Sequence, residues 1–157
     1  MPSSTVRRAV TVGALTTALT LSLSAQASAD AGDEDIVRVK YTGVTALDTS
    51  PDVIAPGDSW VTYLSLYTPK HTFAGDASSR CSAVEAHENR VTTQCTRVLR
   101  LKDGEITLHD LITREGRQPV TAKTAIAGGT GIYNDAEGEG YITLTGDSVH
   151  FDLHVDD

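Results

Sequence analysis

Two cysteines, five histidines and one glycine-rich run are the parts of this 157-residue chain whose types and spacing could do chemistry. The run "AIAGGTGIYNDAEGEG", Ala125 to Gly140, has the glycine density of a nucleotide-binding loop. Such a loop must open a long helix, so that a phosphate meets the helix N-terminus. Gly138 and Gly140 interrupt any helix there, and the Lys-Ser/Thr pair of a phosphate loop is missing. These glycines better suit positive φ angles and close backbone approach where one strand gives way to the next.

Cys81 and Cys95 are separated by "SAVEAHENRVTTQ", two strand-like arms around "HEN". A hairpin centred on Glu88 sets the two cysteines opposite each other, close enough for a disulfide. A reactive thiol or a metal-binding pair is the alternative reading, but there is no CxxC motif. The histidines do not supply a metal set either. His150 and His154 lie four apart on a strand-like segment, His71 and His87 fall in turns, and His109 stands apart, so no metal is expected.

The elements that must position these residues are strands. "SVHFDLHV" (148–155) alternates Val149, Phe151, Leu153 and Val155 with His150, Asp152 and His154, the period of a half-buried strand. Similar segments occur at 36–45, 59–68, 105–113, 119–127 and 140–145, and the cysteine hairpin adds two more arms, the second running to Leu101. "KDG" (102–104) and "GD" (146–147) are hairpin turns, whereas 48–58 and 69–79 read as loops rich in turn formers. Eight short strands joined in sequence, with no helical period, predict an all-β fold: an eight-stranded antiparallel up-and-down barrel, calycin-like in size.

The first 29 residues stand outside that pattern. Arg7 and Arg8, the apolar run "AVTVGALTTALTLSLSA" and "ASA" before Asp30 predict a secretory signal peptide over 1–29. A disordered N-terminus over 30–35 and one barrel domain over 36–157 complete the expected organisation. That makes the protein secreted and extracellular, where a disulfide is the default state of two cysteines. Without the leader, which holds two of the 13 basic residues and none of the 21 acidic ones, the formal net charge is −10. No nucleic-acid partner and no membrane anchor are expected from such a surface.

Four stretches resemble, in order, the landmarks of the allene oxide cyclase and dirigent-like barrels: "GDSWVTYLSLYT", Cys81, "LKDGEITLHD" and "TAIAGGTGIYNDAEGEG". The last is the most specific, with Gly128, Gly129, Thr130, Gly131, Tyr133, Ala136 and Gly138 in place. The resemblance implies a secreted bacterial member of that barrel family, which steers reactive apolar intermediates without a cofactor. It departs from the cyclase at several positions. Neutral residues fill "VKYTGVTALD", Leu64 stands for a cavity asparagine, and Ile112 lies near the place of a tyrosine. Allene oxide cyclase activity itself is therefore not expected.

The family register also implies a lumen. It turns Trp60, Thr62 and Leu64 inward from one strand, Cys81, Ala83 and Glu85 from the next, then Arg97, then Asp110. The ionisable set Glu85, Arg97 and Asp110 becomes the candidate catalytic group, an acid or base tuned by burial beside an arginine. A structural pair or a placement at the barrel rim is the competing reading of the same charges. The function implied is cyclisation or isomerisation of an apolar small molecule, and the alternative is a lipocalin-like carrier without catalysis. A purely structural domain with a packed core is a third reading. The partners expected are that small molecule and, in a homo-oligomer, further copies of the chain.

Overall fold

A strand that alternates apolar and polar residues must bury one face, and a row of such strands solves this by closing on itself. The computed structural model describes residues 36–156 and shows that solution. The expected signal peptide over 1–29 and the expected disordered segment over 30–35 lie outside the described residues. The strands are β1 (Val37–Asp48), β2 (Ser59–Tyr67), β3 (Phe73–His87), β4 (Arg90–Leu101), β5 (Gly104–Glu115), β6 (Val120–Gly131), β7 (Glu137–Thr145) and β8 (Ser148–Asp156). Each pairs antiparallel with its sequence neighbours, and β1 also pairs with β8, closing the barrel.

The inward face carries the core. Leu64, Leu66, Leu99, Ile106, Leu108, Ile142, Phe151 and Leu153 are almost wholly buried and form one continuous apolar cluster. Val149, Phe151, Leu153 and Val155 all point inward, as their alternation predicts. The glycine run also behaves as a corner of the barrel. β6 continues through Gly131 before the chain turns into β7. A Cβ at Gly129 would stand 2.3 Å from the Glu105 carbonyl oxygen, so only glycine lets β6 lie this close to β5.

Two expectations need correction. The stretch 69–79 reads as a loop, yet Phe73–Ser79 belongs to β3. Its small and polar residues are held because both edges find partners: Ser78 pairs with Tyr63 on one side and Val98 on the other. Pairing on both edges satisfies the backbone and overrides the weak strand propensity of the segment. The second correction concerns Glu85. A bulge between Ala83 and Glu85 breaks the period-two alternation of β3. The Glu85 side chain is half exposed and accepts hydrogen bonds from Thr92 Oγ1 at 3.1 Å and Arg90 Nη1 at 3.3 Å, away from the lumen.

The outer face gives one pH prediction. On β1, Arg38 Nε donates to Asp152 Oδ1 of β8 at 2.7 Å, and Lys40 Nζ lies 3.1 Å from Oδ2. The hydrogen bonds from Arg38 are the main cause that holds the Asp152 carboxyl well below its usual range. A depressed folded pKa adds stability above the unfolded value of about 4, and that stability is lost as pH falls below it. Asp152→Asn should therefore flatten the acid side of the melting-temperature profile between about pH 5 and 3. Parallel wild-type and variant profiles over that range would contradict the assignment.

Candidate functional site

The inward residues of β2 to β5 stack as rungs. Trp60, Cys81, Cys95 and Asp110 are successive cross-strand partners, one rung of the barrel wall. The adjacent rung is Thr62, Ser79, Arg97 and Leu108. Cys81 and Cys95 form a disulfide with their Cα atoms 4.1 Å apart, as the hairpin geometry predicts. With Trp60 and Ala83 the disulfide makes a small apolar cluster distinct from the main core.

Arg97 reaches diagonally from its rung to Asp110. Its Nε donates to Oδ2 at 2.6 Å and Nη2 donates to Oδ1 at 3.1 Å, a two-pronged ion pair. The side chains are 5% and 0% exposed, so the pair is sealed from water. Nη1 takes no part in it. Beside Arg97, the buried Ser79 Oγ has no hydrogen-bond partner among the described residues. Thr124, buried on β6, donates its Oγ1 hydrogen to the His109 carbonyl at 3.1 Å. The lumen is thus apolar along most of its length, with one polar belt across it.

Two of the three candidate ionisable residues therefore meet inside the barrel, and Glu85 does not. Of the expected cavity-lining residues, Leu64, Cys81, Ala83 and Trp60 are buried in packed surroundings, and Thr62 is half-buried on the same face. None of these five lines the open cleft that the structure contains. That cleft, about 610 Å³, sits at the barrel end where the connections 49–58, 88–89, 116–119 and 146–147 meet. Its apolar lining is Val53, Ile54, Val91, Val120 and Leu144.

Ile54 joins the two regions. It lines the cleft and also packs on the cluster of Trp60, Cys81, Ala83 and Cys95 beneath. Its segment is pinned at both ends. Thr49 N donates to the Val61 carbonyl at 3.0 Å, and Val61 N donates to Thr49 Oγ1 at 2.9 Å. At the other end Gly57 N donates to the Ala83 carbonyl at 2.8 Å, and Ala83 N to the Asp58 carbonyl at 2.8 Å. Between these anchors the strap runs along the cleft, with Ile54 packed on the cluster whose rung also holds Asp110.

On β5, sequence reasoning singled out Asp110 as the inward ionisable residue. The alternation Ile106, Leu108, Asp110, Ile112 has one more member, Arg114, which is half-buried, lines the cleft and pairs across the sheet with Val91. The signal was available in the period-two pattern, since "DLITR" carries it one step further.

No protein-family model and no curated protein matches this chain. Its fold is similar to those of several solved structures. Pyocyanin demethylase shares 22% identity at a TM-score of 0.62, over 75% of this chain and 99% of that one. A nonspecific heme-binding cyclase that catalyses a (4 + 2) cycloaddition during neoabyssomicin biosynthesis shares 19% at 0.59, over 79% and 65%. AbnU, an exo-specific intermolecular Diels-Alderase, shares 15% at 0.55, over 76% and 97%. At these identities the likeness is one of fold.

Proposed function

We propose that the protein is a secreted barrel of the allene oxide cyclase and dirigent-like type that steers cyclisation or isomerisation of an apolar small molecule. The observation that carries this reading is the Arg97–Asp110 pair, sealed in an apolar lumen beneath an open cleft. A buried ion pair contributes little to stability compared with apolar residues of the same volume. Its retention beside an unpartnered hydroxyl supports a task directed at a ligand.

The chemistry follows from confinement and charge. A ligand admitted past Ile54 would meet apolar walls that limit its folded conformers and exclude water. Guanidinium and hydroxyl donors would stabilise negative charge developing on a carbonyl or enone oxygen as the ring closes. The residues supply these effects themselves, so the reading requires no cofactor. Two of the three fold neighbours are described as cyclising enzymes, which agrees with it. Export belongs to the same proposal, supported by the disulfide.

A carrier without turnover is the second reading, favoured by the cleft's lining, which includes neither Arg97 nor Asp110. Binding and turnover distinguish the two. The neutral fluorophore N-phenyl naphthylamine should bind with a Kd on the order of micromolar and change Trp60 emission. Conversion of linear polyene enones, followed by chromatography, should be lost in the double variant Arg97→Met, Asp110→Leu while the fluorophore still binds. Binding without conversion by the wild type would establish the carrier. Absence of binding would end both readings.

A further inference from the structure

Among the described residues, the fully buried polar side-chain atoms inside the barrel are satisfied with one exception. Arg97 and Asp110 bond to each other, Thr93 Oγ1 donates to the Ile112 carbonyl, and Thr124 Oγ1 donates to the His109 carbonyl. Ser79 Oγ is buried without a hydrogen-bond partner, a condition shared only by His154 Nε2 on the outer face. An unbonded buried hydroxyl costs stability that alanine would not. Its position gives the exception a meaning. The inward row of β3 is Ala77, Ser79, Cys81 and Ala83, all buried, whereas every other strand contributes at least one larger apolar side chain to the core. β3 is therefore the wall of small side chains, and the one unpartnered hydroxyl projects from its middle into the lumen. The cross-strand partner of Ser79 on β4 is Arg97, whose Nη1 is not used by Asp110.

We infer that Ser79 is a specificity-determining residue of the lumen: its hydroxyl donates to the oxygen of an uncharged carbonyl, on a ligand whose apolar body lies along the small-residue wall of β3. This rests on the proposed small-molecule function and names both the charge of the ligand and the residue that reads it. The ligand group must be an acceptor, because the neighbouring Arg97 Nη1 has donors only. Asp110 sets the charge. It balances the guanidinium with both carboxylate oxygens, so a ligand carboxylate would be buried with no countercharge of its own. A ketone or ester carbonyl brings no net charge to the belt. A site with a buried donor rejects the analogue lacking the acceptor more sharply than an apolar pocket rejects a change of one methylene. Ala77 on one side of the hydroxyl, and Ala83 with the disulfide on the other, give the body an apolar surface.

Three naphthalene probes test this. The naphthyl ketone prodan emits further to the red when its oxygen accepts a hydrogen bond. N-phenyl naphthylamine has no carbonyl, and dimethylaminonaphthoate replaces the ketone with a carboxylate. The wild type should bind both neutral probes, and should bind the carboxylate at least about tenfold more weakly than prodan. Ser79→Ala should weaken prodan binding about fivefold and shift the bound emission to the blue, with N-phenyl naphthylamine unaffected. It should not lower Tm, because the hydroxyl has no bond to lose in the free protein. Ser78→Ala, exposed on the outer face of the same strand, should change none of these readings. Binding of both neutral probes with prodan indifferent to Ser79→Ala, a carboxylate held as tightly as the ketone, or a lower Tm in Ser79→Ala overturns the inference and leaves the small-molecule reading standing. Failure of both neutral probes to bind overturns the inference together with that reading.

Discussion

Replacing Cys81 and Cys95 together with alanine is expected to lower the melting temperature by about 10 °C. The two cysteines are 14 residues apart, and a cross-link closing such a loop contributes about 3 kcal/mol by restricting the unfolded chain. For a domain of this size each kcal/mol moves the transition by about 3–4 °C. Both side chains are buried against Trp60 and Ala83, so lost packing adds to the same sign. Calorimetry of the oxidised protein, the reduced protein and the double variant measures the effect. The reduced and doubly substituted forms should melt close together. A difference below about 2 °C between oxidised and reduced protein would mean that the 87–90 turn and the ladder on both sides already hold the hairpin in the unfolded ensemble.

The second large effect concerns Arg97 and Asp110. Arg97→Met alone leaves a carboxylate with no exposed surface and no cationic partner, and breaking a buried pair in this way costs about 3–5 kcal/mol. Asp110→Leu alone should be comparably damaging, because it strands the guanidinium. The double variant should recover most of that loss, since two apolar side chains replace two desolvated charges. Chemical denaturation of all four proteins closes the cycle, and a coupling energy of at least about 2 kcal/mol is expected. Near-additive losses would show that the two residues act independently, contrary to the 2.6 Å and 3.1 Å hydrogen bonds that join them. The same double variant carries the functional test. A protein that folds well without its charged pair and converts nothing separates the chemistry of the belt from its structural role.

Several features of this protein were legible in the sequence because they are set by neighbours along the chain. Period-two alternation in "SVHFDLHV" and the turns at 102–104 and 146–147 are local, and together they specify strands joined as hairpins. Counting outwards from a turn centred on Glu88 sets Cys81 opposite Cys95; in the structure the ladder starts at His87 and Arg90, and the bulge between Ala83 and Glu85 brings the two cysteines into that register. The inward placement of Arg97 and Asp110 also survived, because no irregularity interrupts the β4–β5 register between them. What tertiary structure decided lies where distant partners intervene. Glu85 was counted from Cys81 by alternation, but the bulge at Ala83 shifts the phase so that this carboxylate faces outward. Phe73–Ser79 has the composition of a loop and becomes a strand because β2 and β4 offer hydrogen bonds on both its edges. The cleft was the least legible feature. It joins Ile54, Val91, Arg114, Val120 and Leu144 from five separate parts of the chain. Only closure of the barrel brings those parts to one mouth, and no local pattern encodes how far each connection leans across it.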